Sequence, residues 1–293
     1  PRLVEAMAGA DAVVHLAWGF QPSHDLDYLE RLAVGGTRLV AESAVAVGVP
    51  HLVHMSSVGA YSAKQSDDPV DESWPTHGIA SSAYSRHKVA AERLLDRYES
   101  TIRITRFRPG IIGQRPAGSA LLRYGLPGLI PAQLLSHVPL LPLSRKLVIS
   151  VVHADDVAAA VARAVESEVG GAFNLSAGAL DAAAIADALE ARLVPVPSAA
   201  LRPLVSAAWA ARLQPVDPGW LDLAFSLPLL DPGRARAELG WAPTHTPAQV
   251  ARAIVGGLQE AAAAPTSALR PRTVRRALVD AVRGGSVGRR RHT

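Results

Sequence analysis

Cysteine is absent from all 293 residues. That removes disulfides, thiol nucleophiles and cysteine-ligated metals at once, and it fits a reducing cytoplasm, the expected location. Long hydrophobic runs are missing as well. No eighteen consecutive apolar residues occur, and the apolar region 126–143 is interrupted by prolines and His137, so no membrane span is expected. Lysine is scarce: Lys64, Lys88 and Lys146 are the only ones among 30 basic residues. Glycine is plentiful, yet no strand is followed by a G-x-x-G-x-x-G run opening a helix. Only such an arrangement lets backbone approach a pyrophosphate at a helix N-terminus. No metal site is expected either. His51 and His54 lie three apart on a strand and so face opposite sides, and the Asp155-Asp156 pair opens a helix, where negative charge is favoured by the dipole.

What is present centres on Tyr84 and Lys88. They lie four residues apart in Ala83-Tyr84-Ser85-Arg86-His87-Lys88-Val89-Ala90-Ala91-Glu92, within a segment (Ser81–Tyr98) free of Gly and Pro. The composition predicts a helix, on which positions i and i+4 share a face. An ammonium beside a phenol would pull its pKa below the ordinary value of about 10 and make a proton shuttle usable near neutrality. The short run His51-Leu52-Val53-His54 leads into Met55-Ser56-Ser57-Val58-Gly59-Ala60-Tyr61, which places Ser57 at the C-terminal mouth of a strand. In open α/β sheets ligands bind at that mouth.

With these residues in place, the chain resembles the extended short-chain dehydrogenase/reductases, in particular the NAD-dependent epimerase/dehydratase branch. The resemblance runs over nearly all of residues 1–262. It is carried by Asp11–Ala17, by Gly35–Glu42 with Gly48-Val49, and by Ser56-Ser57 through Tyr61 followed by Tyr84 and Lys88. Further on come Arg108–Gly113, Val152–Val157, and Asp231–Pro243 with Leu239-Gly240-Trp241. It implies a doubly wound, mostly parallel Rossmann-type α/β sheet with a smaller, mainly helical substrate lobe. It also implies NAD or NADP as cofactor, with Ser57, Tyr84 and Lys88 as catalytic residues. Tyr84 would move the proton of a substrate hydroxyl or carbonyl, Lys88 would bond the nicotinamide ribose, and Ser57 would orient the substrate oxygen. Leu16, Ala17, Trp18, Ser56 and Pro109, together with Tyr84 and Lys88, would contact the cofactor.

Three departures stand out. Ala33 replaces the Asn expected before the Gly-Thr helix signature. Trp18 replaces a small residue after Ala17. The glycine-rich loop is missing, and the chain starts at Pro1, so a βαβ unit of roughly 30 residues is expected upstream. The chain as given is then expected to bind dinucleotides poorly.

Alternating β-type and helical runs predict strands at Ala12–Ala17, His51–Met55, Ile102–Phe107, Val148–His153 and Ala172–Leu175. Helices are predicted at Leu26–Val47, Ser81–Tyr98 and Asp155–Ser167, and a last one from Thr246-Pro247-Ala248-Gln249 to about Ala262. This divides the chain into a partial dinucleotide-binding domain (1–175, with 115–146 contributing to the substrate lobe), a substrate-side lobe (176–262) and an arginine-rich tail (263–293). The tail explains the net charge of +4: it carries eight Arg against one Asp from residue 270 onward, lacks interleaved aromatics, and is expected to lie outside the core rather than bind nucleic acid. The acidic loop with Asp67, Asp68, Asp71 and Glu72 reads as solvated surface. Leu147–Val151 is apolar apart from Ser150, which favours a small or hydrophobic alcohol or carbonyl over a sugar nucleotide. Two readings stay open: a Ser/Tyr/Lys enzyme of oxidoreductase or epimerase/dehydratase type, with a homodimer as its expected assembly, and a non-catalytic dinucleotide sensor of the same fold.

Overall fold

The computed structural model describes residues 2–19, 25–125, 139–211 and 217–271. Its strands are β1 (Val13–His15), β2 (His51–Met55), β3 (Arg103–Pro109), β4 (Ile111–Gly113), β5 (Leu140–Leu143), β6 (Val148–His153), β7 (Gly171–Leu175), β8 (Gly178–Asp181) and β9 (Arg192–Pro195). The helices are α1 (Arg2–Met7), α2 (Leu26–Glu30), α3 (Gly36–Ala46), α4 (Ala83–Asp96), α5 (Gly118–Gly125), α6 (Ala154–Ser167), α7 (Ala182–Ala188), α8 (Ser198–Ala210), α9 (Pro218–Ser226), α10 (Gly233–Leu239) and α11 (Pro247–Gln259). All five predicted strands form. The predicted helix Leu26–Val47 is broken into α2 and α3 by one π-helical turn, Arg31–Gly35, which holds Ala33.

The main sheet is parallel in the order β1-β2-β3-β7. A second sheet joins β4 to β6 in parallel and β6 to β8 antiparallel, and β5 pairs with β9. This is the mostly parallel, Rossmann-like α/β fold that the sequence predicts.

Alternation along the strands decides what each face carries. Val53, Phe107, Phe173 and Leu175 point to one side and pack with α6, α10 and Trp241. Leu52 and Ile104 point to the other, where Ala41 and Ala44 of α3 and Leu95 of α4 cover them. Nearer the C-terminal ends of the strands, this second face turns polar. His15 stands beside His54, His54 beside Arg106, and Arg108 beside Asn174 in register. Buried charges need partners there, and α4 supplies them to the two arginines, Asp96 to Arg106 and Glu92 to Arg108.

Helix ends follow their local chemistry. Ser82 caps α4 by accepting from Ser85 N. Thr246 and Gln249 form a reciprocal capping box at the start of α11 with Pro247 in the first turn, as predicted. Gly110 follows β3 where a Cβ would lie 2.3 Å from the Ser150 oxygen, so only glycine lets β3 turn past β6. Of the acidic loop, Asp67, Asp68 and Asp71 are exposed, but Glu72 is half-buried and accepts from Asn174 N at 2.7 Å; it is part of the interior rather than solvated surface. No helix among the described residues is long and apolar enough to cross a membrane. Most of the arginine tail, including Val274, Leu278 and Val282, lies outside the described residues.

Trp241 is 1% exposed, and its indole N–H donates to the Asp156 carbonyl at 2.7 Å. Trp241→Ala should lower the unfolding free energy by about 3–5 kcal/mol, read from the shift in a denaturant midpoint. A loss below about 1 kcal/mol would show that this cluster collapses around the cavity.

Candidate active site

The Ser57 backbone is extended, and its hydroxyl accepts from Gly59 N at 3.0 Å, closing a 3-10 turn at the end of β2. A Cβ at Gly59 would stand 2.9 Å from Cε1 of Tyr84, so glycine here is what lets the phenol ring lie over the turn. Ser85 locks the same arrangement: its hydroxyl donates to the Gly59 carbonyl at 2.6 Å and accepts from Ile79 N at 2.7 Å. The start of α4 is thereby fixed to the mouth of β2, and the Tyr84 and Ser57 side chains hydrogen-bond each other. Lys88, one turn further on, is 2% exposed and donates from Nζ to the Met55 carbonyl at 2.9 Å. The structure therefore brings Ser57, Tyr84 and Lys88 together at the strand mouth.

The electrostatics run opposite to the sequence expectation. Burial pushes the Tyr84 phenol up to about 12, with the Ser57 hydrogen bond opposing it. Burial also pulls Lys88 down to about 7, against the Glu92 charge that raises it. Lys88 does not depress the phenol. Its ammonium lies 5.8 Å from the Tyr84 ring centroid and is held to a backbone carbonyl, and both groups lose their charged forms to desolvation.

Trp18 covers this pair. Its indole centroid is 3.5 Å from Lys88 Nζ, a cation–π contact, and its ring meets Tyr84 edge-on at 6.2 Å. Trp220 flanks the other side of Tyr84 at 5.0 Å. Beneath lie His15 and His54, rings 5.3 Å apart. His15 donates to Thr37, whose hydroxyl is committed to the Ala33 carbonyl. Burial first, and then the Lys88 charge, lowers His15 to about 4 and takes His54 well below its ordinary value. Both rings are neutral at physiological pH.

A polar network missed by the sequence reading supports the site. Glu92, 4% exposed, receives Arg108 Nε at 3.0 Å and Nη2 at 2.6 Å, and also accepts from the Ser56 hydroxyl. Arg108 Nη1 donates to the Tyr61 hydroxyl at 3.1 Å, and Tyr61 donates to Asn174 Oδ1 at 2.8 Å. The available signal was the row Tyr84, Lys88, Glu92 at i, i+4, i+8, which puts the carboxylate on the same helix face. Of the remaining predicted cofactor contacts, Ser56 and Pro109 are buried at strand ends, while Leu16 and Ala17 are exposed just after β1.

A cleft of about 430 Å³ is lined by Ser81, Ala83, Arg86, Arg202, Trp209 and Asp217, among others, and by none of Ser57, Tyr84 and Lys88. Arg202 is paired with Asp222 through two bonds of 2.9 and 3.1 Å. The predicted strand pair His51/His54 does face opposite ways, since His51 bonds Thr105 on β3 while His54 meets His15.

A family model described as the NAD dependent epimerase/dehydratase family matches residues 1–176. No curated protein matches the chain. Several solved structures do. The gox2253 structure has a TM-score of 0.66 at 21% identity, covering 88% of this chain and 81% of its own. A UDP-glucose-4-epimerase from Stenotrophomonas maltophila, with NAD and formylated UDP-arabinopyranose, has a TM-score of 0.66 at 21% identity, covering 89% and 80%. A dTDP-glucose 4,6-dehydratase from Streptomyces venezuelae, with NAD and TYD, has a TM-score of 0.64 at 21% identity, covering 88% and 76%. At such identities the likeness establishes the fold.

With only three lysines, the indole cover on Lys88 is measurable by mass spectrometry after brief amine labelling, Lys64 and Lys146 serving as internal references. Trp18→Ala should speed Lys88 labelling about tenfold, as removal of a desolvated cation–π contact of roughly 1–2 kcal/mol implies. Amines react in the neutral form, so the Lys88 rate should climb with pH and level off above about 7. An ordinary lysine keeps gaining reactivity toward about pH 10. Equal rates in parent and variant would mean that the indole is not the cover.

Proposed function

The chain belongs to the NAD dependent epimerase/dehydratase family, and we propose that it is an NAD(P)-dependent oxidoreductase or epimerase/dehydratase acting on a hydroxyl or carbonyl carbon of a small molecule. The observation that carries this is the Ser57–Tyr84 hydrogen bond at the mouth of β2, with Lys88 one helical turn away. The donor set suits such a cofactor at its nicotinamide end: two hydroxyls and an amine converge, and none of them can carry hydride. A bound nicotinamide dinucleotide would supply the hydride donor or acceptor. Lys88, Tyr84, Ser56, Trp18, Leu16, Ala17 and Pro109 are the residues that would hold it.

In this reading Ser57 orients the substrate oxygen and Tyr84 moves the proton at that atom. With the phenol raised to about 12, Tyr84 holds its proton at neutral pH and is poised as the acid toward a carbonyl oxygen. Acting as base toward a hydroxyl requires a cation close to the phenolate, which means a protonated Lys88 nearer than in the present arrangement. We assign the substrate side to the described parts of 176–262 and 115–146, residues 126–138 and 212–216 lying outside the described residues. The stretch Leu147–Val151, apolar apart from Ser150, supports a compact alcohol or carbonyl over a charged sugar nucleotide of the kind bound in the Stenotrophomonas structure. Burial of Tyr84 under Trp18 and Trp220 lends some support to a second reading, a dinucleotide sensor without turnover.

A substrate panel followed by nicotinamide absorbance decides between these. Tyr84→Phe should keep the fold and lose about a hundredfold or more in turnover, and Lys88→Ala should weaken cofactor binding. Undiminished activity in Tyr84→Phe would remove Tyr84 from the mechanism. Tight dinucleotide binding with no turnover on any substrate would favour the sensor.

A further inference from the structure

The Asp155-Asp156 pair does more than place charge at a helix start. The two acids part company in the fold. Asp156 is 3% exposed and accepts from Thr244 N at 2.9 Å, Thr244 Oγ1 at 2.6 Å and His245 N at 3.2 Å, and its Oδ2 lies 3.0 Å from His245 Nδ1. Asp155 projects outward with its side chain 80% exposed. His153, which ends β6 and caps α6, stacks on His245 with ring centroids 3.9 Å apart at 21°. One donor atom each from His153, Asp155 and His245 lies within 4.8 Å of the others.

We propose that His153, Asp155 and His245 form a binding site for a first-row divalent transition metal, zinc in particular, that ties the start of α6 to the segment entering α11. Two imidazoles and one carboxylate are the donors zinc, cobalt and nickel accept, whereas magnesium and calcium call for oxygen ligands throughout. Three protein ligands leave a tetrahedral ion one position for water. Asp156 is what raises this above a chance cluster. A carboxylate that accepts from His245 Nδ1 fixes the ring as the Nδ1–H tautomer, leaving the Nε2 lone pair for an ion, and it also fixes the ring's direction. Asp156 is itself held by Thr244 and by the Trp241 N–H on its carbonyl, so the orienting group is rigid.

Coordination requires one adjustment. Stacked imidazoles hold their in-plane lone pairs nearly parallel, whereas donors about 2.0–2.1 Å from a tetrahedral ion sit about 3.4 Å apart and converge on it. His245 is anchored, so His153 turns about its Cβ–Cγ bond. This releases its acceptor bond from Asp155 N at 3.2 Å and its stack on His245. Asp155, exposed and unencumbered by the core, follows by rotamer change.

The test is calorimetric titration of the chelator-stripped chain with ZnCl2, CoCl2 and MgCl2, alongside thermal melts. One equivalent of zinc should bind at micromolar or tighter Kd and raise Tm, because a ligand selective for the folded state stabilises it. Cobalt should bind at the same site and magnesium should not. His245→Ala should weaken zinc binding at least tenfold and abolish the Tm rise. Asp155→Ala, at an exposed position that leaves packing intact, should weaken it at least fivefold, and it decides the matter if His245→Ala fails to fold. Absence of zinc binding in the parent, an isotherm unchanged in Asp155→Ala, or magnesium bound as tightly as zinc would each overturn the proposal.

Discussion

The Glu92–Arg108 pair is the contact around which the site is organised. Two ions removed from water attract strongly, but only when every remaining donor and acceptor is also satisfied does the pair offset its desolvation. Here both carboxylate oxygens receive guanidinium N–H groups, and the third arm of the guanidinium reaches Tyr61. Ser56 donates to the same carboxylate, which fixes the residue immediately before Ser57. The pair therefore holds α4 against β3 and simultaneously sets the backbone at the mouth of β2. Through Tyr61 and Asn174 it extends across β7 to the Val70 and Asp231 carbonyls.

Desolvation also governs the chemistry. A nearby cation lowers a phenol's pKa only while it remains a cation, and a lysine sealed under an indole gives up its proton near neutrality. Tyr84 and Lys88 thus sit in a closed arrangement in which both charged forms are disfavoured. Opening the site to water would lower the Tyr84 phenol and raise Lys88, returning each toward its ordinary value, whereas a negative group brought close would raise both. The proton chemistry is coupled to how well water is kept from this pair.

Local order was legible in the sequence because it is written in neighbouring residues. β-rich runs point to β1, β2, β3, β6 and β7 but not to the short β4, β5, β8 and β9, Thr246 and Gln249 mark the cap of α11, and the spacing of four gives a shared face to Tyr84 and Lys88. The π turn at Arg31–Gly35 escaped because nothing in that stretch breaks the helical pattern. The sign of the Tyr84 shift was misread for a different reason. Burial depends on Trp18 and Trp220, which arrive from positions 66 residues before and 136 residues after it. The same distance effect hid the partnership of Arg108 with Glu92, although both residues stand inside motifs that were noticed. Glu72 reads as surface in the sequence because its neighbours Asp67, Asp68 and Asp71 are exposed.

Tyr84, Lys88, Glu92 and Asp96 form one row along α4, and each member has a different fixed partner: Ser57, the Met55 carbonyl, Arg108 and Arg106. A helix advances about 100° per residue, so inserting or deleting a single residue within this row would swing every later member away from the sheet. The carboxylates would leave two buried arginines behind them without counter-charge. Substitutions in α4 can be absorbed one at a time, but a change in its length cannot. Divergence of this segment is therefore confined to replacement, while in the connection from β2 to α4 only the exposed stretch around Asp67 and Asp68, between the anchored Tyr61 and Glu72, is free to grow or shrink.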